Sequence, residues 1–275
     1  MPTFTVVELP LTGFEPWLRL KSIAVTKSES SVTARYVRPR QPKWKLTIGT
    51  LQLKFGLTHP HPDKYSSVSF RELPKLVLNL NQALSIDDII TLVTRIQDLL
   101  TLFTDSDRDL AFPTLLTGRD GVLVRLYYTR EAGRSDQLHW HHCWIKFSQL
   151  EDFGGMFESW IGKHESIGPG FSLYTASRRH KLSVEHRFAT LMWGLESFHR
   201  RAYNAPDNIA LKNKICRIIS QISKPKDKKW AQYQFASAGE LPLATRLAEI
   251  FKRLPLEFEA GKIKVIGNCP GRPSE

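Results

Sequence analysis

An α+β fold, with strands and helices segregated along the chain, is what the sequence predicts, and three observations predict it. Through roughly the first two-thirds, short runs rich in Val, Ile, Thr, Leu and aromatics are separated by Pro, Gly and charged punctuation, the pattern of strands and turns. After residue 177 apolar residues recur at steps of three and four, the helical period. The charge changes at the same place: residues 1–177 are net +2 and residues 178–275 net +10, of a total of +12. At 275 residues with 41% apolar content, the chain can bury a substantial core.

The elements follow in order. Thr3–Leu9, Arg19–Thr26, Ser31–Val37 and Trp44–Leu57 read as strands, the last with its apolar face changing sides at Gly49 and Thr50, which predicts a bulge or bend. Arg38–Lys43 is a Pro-punctuated basic loop, Thr58–Asp63 a turn and Lys75–Leu80 a further strand. Ser85 and Asp88 form a capping-box-like start for a helix that carries Ile89, Val93, Ile96 and Phe103 on one side and ends at the acidic turn Thr104–Asp109. Val122–Tyr128 and His141–Phe147 read as strands returning to the sheet, Phe153–His164 as an amphipathic helix and Ile167–Phe171 as a loop. The boundary is placed near residue 177. Beyond it, Val184, Phe188, Leu191, Leu195, Phe198 and Ala202 make one apolar stripe, and Leu211, Ile215, Ile218, Ile219 and Ile222 a second after a turn at Pro206 and Asp207. Lys224–Lys229 reads as a basic linker, Pro242 opens a third helix, and the chain from Gly261 reads as a loose tail.

Several chemistries are excluded or weakened. No secretory signal opens the chain, no apolar run reaches membrane-spanning length, and three widely spaced cysteines do not suggest a disulfide framework, so a reducing cytoplasm is expected. His139, His141 and Cys143 would share one face of a strand, but no fourth ligand is specified, and neither a metal nor a cofactor is expected. No GxSxG elbow, HExxH helix or Gly-rich phosphate loop is present.

The basic excess points instead to a polyanion, with nucleic acid first. Arg178, Arg179 and Lys181, then Lys224, Lys226, Lys228 and Lys229, are the candidate phosphate contacts, and Trp230, Tyr233 and Phe235 can stack on unpaired bases. Glu196, His199 and Arg200 follow at i, i+3 and i+4, which places an acid, an imidazole and a guanidinium side by side on one helix.

ARYVRP at 34–39, the Leu51–Phe55 strand, the helix Asp88–Phe103, the pattern FGGMFESWIGKHE and the helix RFATLMWGLESFHRR together resemble the ApeA-like anti-phage defence proteins. The resemblance covers most of residues 1–255. It implies a β-rich N-terminal sensor domain over 1–177, a partial HEPN-like helical region over 178–260, and a tail over 261–275. It further implies abortive infection: a phage component as trigger, RNA as the target, and pairing as a homodimer or with another HEPN chain. HEPN nucleases use an Arg and a His four to six residues apart without metal, and Glu196, His199 and Arg200 are the positions here suited to flank such a site. In the family pattern that motif lies on a late helix, and no histidine follows His199. The same spacing elsewhere, as in Arg134 with His139 or Arg179 with His186, is what chance supplies. The expectation is therefore a shortened or diverged relative, not a competent ribonuclease by itself, with the loose tail favouring shortening. The alternative is a non-enzymatic module that pairs with another HEPN chain.

Overall fold

The computed structural model describes residues 2–58, 71–118, 121–130, 138–139, 141, 143–167, 169–179, 182–203, 209–235, 241–253, 256–259 and 262–265. They form two compact units, Met1–Glu165 with Tyr174–Val184, and Ser166–Leu173 with Glu185–Glu275. The α+β class is the one observed.

The first unit is built on a six-stranded antiparallel sheet of β1 (Phe4–Pro10), β4 (Lys43–Leu46), β5 (Gly49–Thr58), β6 (Arg71–Leu84), β7 (Thr114–Thr117) and β8 (Leu123–Arg125). The strands lie in the order β4-β5-β6-β1-β7-β8. Alternation places Leu51, Leu53 and Phe55 of β5, Leu76 and Leu78 of β6, and Val7 and Leu9 of β1 in the core. The expected bent strand Trp44–Leu57 is in fact the hairpin β4–β5, with Leu46 paired to Gly49 across Thr47 and Ile48. Gly49 has φ 153°, and a Cβ there would lie 2.0 Å from the carbonyl oxygen of Asn79, so β5 can start against β6 only with glycine. The expected strand Arg19–Thr26 begins later because Arg19 and Lys21 are left-handed, at φ 44° and 51°. What remains, β2 (Ile23–Lys27) and β3 (Val32–Tyr36), pairs as a separate two-stranded ribbon. The turn expected at Thr58–Asp63 lies outside the described residues after Thr58.

A short helix α1 (Glu15–Leu18), α2 (Ile86–Thr104) and α3 (Phe153–Ile167) complete the core. Ser85 caps α2 as expected, accepting the Asp88 N–H and donating its hydroxyl to the Asp88 carboxylate at 2.6 Å. Trp17 stacks on Phe103 with ring centroids 5.8 Å apart and meets Phe147 edge-on at 5.4 Å, while Phe153 meets Trp44 at 5.2 Å. This aromatic nest joins α1, α2, α3 and the sheet. None of the described residues of His141–Phe147 is in a strand. Ile145 donates to the Phe103 carbonyl at the end of α2 and accepts from the Trp17 indole, so both its backbone groups are engaged outside a ladder.

The second half contains more helix than the sequence predicts: α4 (Gly170–Arg179), α5 (Val184–Ala202), α6 (Ile209–Ser220), α7 (Pro225–Phe235) and α8 (Leu243–Arg253). The loop expected at Ile167–Phe171 gives way to α4 from Gly170 onward. Gly170 approaches Gly194 of α5 so closely that a Cβ on it would lie 2.7 Å from the Gly194 carbonyl oxygen. The α5 stripe is covered only through its middle, because Val184 and Phe188 are 80% and 63% exposed. Of the expected linker Lys224–Lys229, Pro225–Lys229 are the start of α7: Pro225 suits the first helical position and Asp227 complements the dipole in the first turn. Within the expected tail from Gly261, Lys262–Val265 (β10) pairs antiparallel with Leu256–Glu259 (β9), where charged and apolar residues alternate, and residues 266–275 lie outside the described residues. The turn at Pro206 and Asp207 lies outside the described residues.

Candidate nucleic-acid interface

Two features of the helical half bear the residues that the sequence singled out. The first joins α5 to α8. Arg200 donates through Nη2 to Glu196 Oε1 at 3.0 Å, one helical turn apart. His199 does not join them. It is fully buried, and its Nε2 lies 2.7 Å from Glu249 Oε2 on α8, with the Tyr203 ring 5.0 Å away. Nδ1 of His199 is buried without a hydrogen-bond partner. The second base near Glu196 is instead Arg246, whose Nε lies 4.0 Å from Glu196 Oε1 and donates to the Leu241 carbonyl at 2.7 Å. Arg246 is only 4% exposed. The predicted trio is therefore divided: Glu196 holds Arg200 and Arg246, and His199 is held by Glu249. The sequence reading missed Arg246 and Glu249. The available signal was a guanidinium on the buried side of α8, one turn before the core residue Ile250.

The second feature is α7. Helical geometry puts Lys226, Lys229, Trp230 and Tyr233 on one face, at i, i+3, i+4 and i+7. All four are exposed, Trp230 by 64% and Tyr233 by 79%. The opposite face carries the buried Ala231 and, with Lys228, Gln232 and Phe235, lines a cavity of about 400 Å³ shared with Ile215, Cys216 and Ile219 of α6. The candidate lysines thus separate: Lys226 and Lys229 stand beside exposed aromatic rings, and Lys228 lines the α6 cavity. Lys224 precedes the helix and its carbonyl accepts the Lys228 N–H at 3.0 Å.

The other candidates are placed differently. Arg178 forms an ion pair with Asp105 at 2.5 Å and lies 5.5 Å from the centre of the Tyr174 ring. Tyr174 also donates to Asp105, and burial first and that hydrogen bond second push its phenol up to about 12. Arg179 closes α4, its side chain outside the described residues, as is the whole of Lys181. Cys143 donates weakly to the His139 carbonyl at 3.7 Å, and burial pushes its thiol up. Among the described residues no group of three His, Cys, Asp or Glu is placed to hold a metal ion, and no helix is long and apolar enough to cross a membrane.

Residues 2–160 match the family model of the ApeA N-terminal domain 1, and residues 190–268 match that of the Apea-like HEPN domain. No curated protein and no solved structure matches the chain. The β-rich unit and the helices α5–α8 stand where these two matches fall, in the same order. The first match alone spans more than half of the sequence, and the chain belongs to the ApeA family of defence-related HEPN proteins, with an ApeA N-terminal domain followed by an Apea-like HEPN region.

Proposed function

We propose that this protein is a cytoplasmic anti-phage factor of the abortive-infection type. In this reading residues 1–177 respond to a phage component, and the HEPN region over 178–260 engages RNA without being a competent ribonuclease by itself. The observation that carries the RNA reading is the exposed face of α7, where Lys226 and Lys229 alternate with Trp230 and Tyr233. Cations that neutralise phosphates beside rings that stack on bases are the two requirements of single-strand binding. The inactive reading is supported by the burial of His199: its imidazole has no exposure and lies 2.7 Å from the Glu249 carboxylate, away from where an RNA ribose would approach in solvent. The other histidine of α5, His186, is roughly 20 Å along the helix from Arg200 at 1.5 Å per residue.

The test is fluorescence anisotropy of the full chain with labelled single-stranded RNA across a salt series. Lys226→Glu with Lys229→Glu is expected to weaken binding at least tenfold and to flatten the dependence on salt. Trp230→Ala with Tyr233→Ala is expected to weaken it by about 1–3 kcal/mol per lost stack. Unchanged affinity in both variants would remove RNA from the reading. Incubation with total RNA is expected to leave it intact, and cleavage that disappears in Glu196→Ala or Arg200→Ala would overturn the claim of inactivity.

A second reading, pairing with another HEPN chain without catalysis, is favoured by Val184, Phe188 and Trp193 of α5, all well over half exposed.

A further inference from the structure

The near-neutral charge of residues 1–177 conceals a strong segregation. Residues 19–45 carry eight Lys and Arg against one acid, Glu29, a net of +7, while the rest of that region is net −5. All eight cations are exposed. The structure gathers them on one device. Arg19 and Lys21 lead into the β2–β3 ribbon, Lys27 and Arg35 lie on it, and Arg38, Arg40, Lys43 and Lys45 follow it into β4. The ribbon is a sheet of its own, tied down at its base, where Val37 donates to the Ser22 carbonyl at 2.8 Å and the Ser22 hydroxyl donates to Glu72 of β6.

The register assigns the two faces. Ala24 opposite Arg35 and Thr26 opposite Thr33 make one; Val25 opposite Ala34 and Lys27 opposite Val32 make the other. From Ala24 to Arg35 every ribbon residue is exposed, including Val25 at 66% and Val32 at 67%. Two strands alone are marginal in water, so an uncovered ribbon of this charge is built to be completed by a partner.

Three arguments fix that partner. A net of +7 over 27 residues selects a polyanion. An anionic membrane would need bulky apolar or aromatic side chains at the tip, and the tip is Ser28-Glu29-Ser30-Ser31. A single strand would need stacking rings, and the only aromatic residue of the ribbon, Tyr36, is half-buried. A duplex remains. The major groove of B-form DNA, about 12 Å wide, admits a two-stranded ribbon, whereas that of A-form RNA is too deep and narrow to be read. Five residues per strand span roughly 17 Å, enough to follow the groove across several base pairs.

We infer that the β2–β3 ribbon of the N-terminal domain is a duplex-DNA-binding arm that enters the major groove. Arg35, Thr26 and Thr33 face the base edges, and Arg38, Arg40 and Lys43 contact the flanking phosphates. The arm uses none of the residues of α7 and does not depend on the RNA reading.

The test is anisotropy of the full chain with a labelled DNA duplex of about 20 base pairs, over rising salt. The logarithm of affinity is expected to fall linearly with that of salt, at about 0.9 per phosphate contact. Arg38→Glu, Arg40→Glu and Lys43→Glu combined are expected to lower affinity at least tenfold and flatten the slope by about three. Lys226→Glu with Lys229→Glu is expected to leave duplex binding intact, which separates this arm from the RNA face. An RNA duplex of equal length is expected to bind more weakly. Circular dichroism checks that the triple variant is folded; if it is not, Arg35→Ala decides, with a loss of at least fivefold expected. The proposal is overturned if the folded triple variant, or Arg35→Ala in its place, binds DNA like the parent. It is equally overturned if the RNA duplex binds as tightly, or if only phosphatidylserine vesicles or a protein partner respond to the changes.

Discussion

His199 and Arg200 are adjacent in sequence and 100° apart on α5, and that angle decides what each contributes. His199 points into the protein, where Glu249 and Tyr203 enclose it. Removing it deletes a charge-assisted hydrogen bond and leaves a cavity, so His199→Ala is expected to cost about 2–4 kcal/mol in urea denaturation. Arg200 stands in a half-exposed pair with Glu196, and Arg200→Ala is expected to cost less than about 1 kcal/mol in the same measurement. Tyr174 supplies a pH prediction. Its folded phenol titrates near 12 and its unfolded one near 10, so the neutral form is favoured by the fold. The corresponding stability is complete below pH 10 and lost as pH rises toward 12. Thermal melts at pH 9.5 and 11.5 are expected to diverge more for the native protein than for Tyr174→Phe. The spacing of Glu196, His199 and Arg200 was legible in the sequence, but their partners were not. Arg246 and Glu249 lie about 50 positions away, and only tertiary packing brings α8 to α5.

At the level of elements, local chemistry was read well where it was sufficient and poorly where two signals competed. Ser85 and Asp88 announce α2 because a cap is a contact over three residues. Lys224–Lys229 reads as a linker because its charge obscures a Pro-initiated helix, whose residues Lys, Gln and Ala are good helix formers. His141–Phe147 carries strand-like residues, yet both backbone groups of Ile145 within it are taken by α1 and α2. The α4–α5 contact gives a test of its own. Gly170→Ala would push a methyl against the Gly194 carbonyl, a backbone group that cannot rotate away. A loss of about 1–3 kcal/mol is expected by thermal denaturation, whereas Gly162→Ala, with open space around its site and the better helix propensity of alanine, is expected to be neutral or stabilising.

Over the whole molecule, charge is organised more finely than the two halves suggest. The excess of +10 after residue 177 was legible as a count, but the +7 of residues 19–45 was masked by acids that the fold places elsewhere in the N-terminal region. The exposed apolar residues of α5 provide the corresponding test of assembly. If Phe188 and Trp193 mediate pairing, light scattering is expected to show a dimer, and Phe188→Ser with Trp193→Ser a monomer of 31.5 kDa. A native monomer at tens of micromolar would remove the pairing reading.

The cavity between α6 and α7 has a practical consequence. Cys216 on its rim is exposed, whereas Cys143 is buried with its thiol pushed up, so an alkylating dye discriminates between them at neutral pH. With Cys269→Ser in the background, a single fluorophore can be attached at Cys216. It would sit across the cavity from Lys228 and Gln232, on the helix pair whose far side presents Trp230 and Tyr233. The protein thereby carries its own attachment point for an optical reporter of ligand arrival at α7.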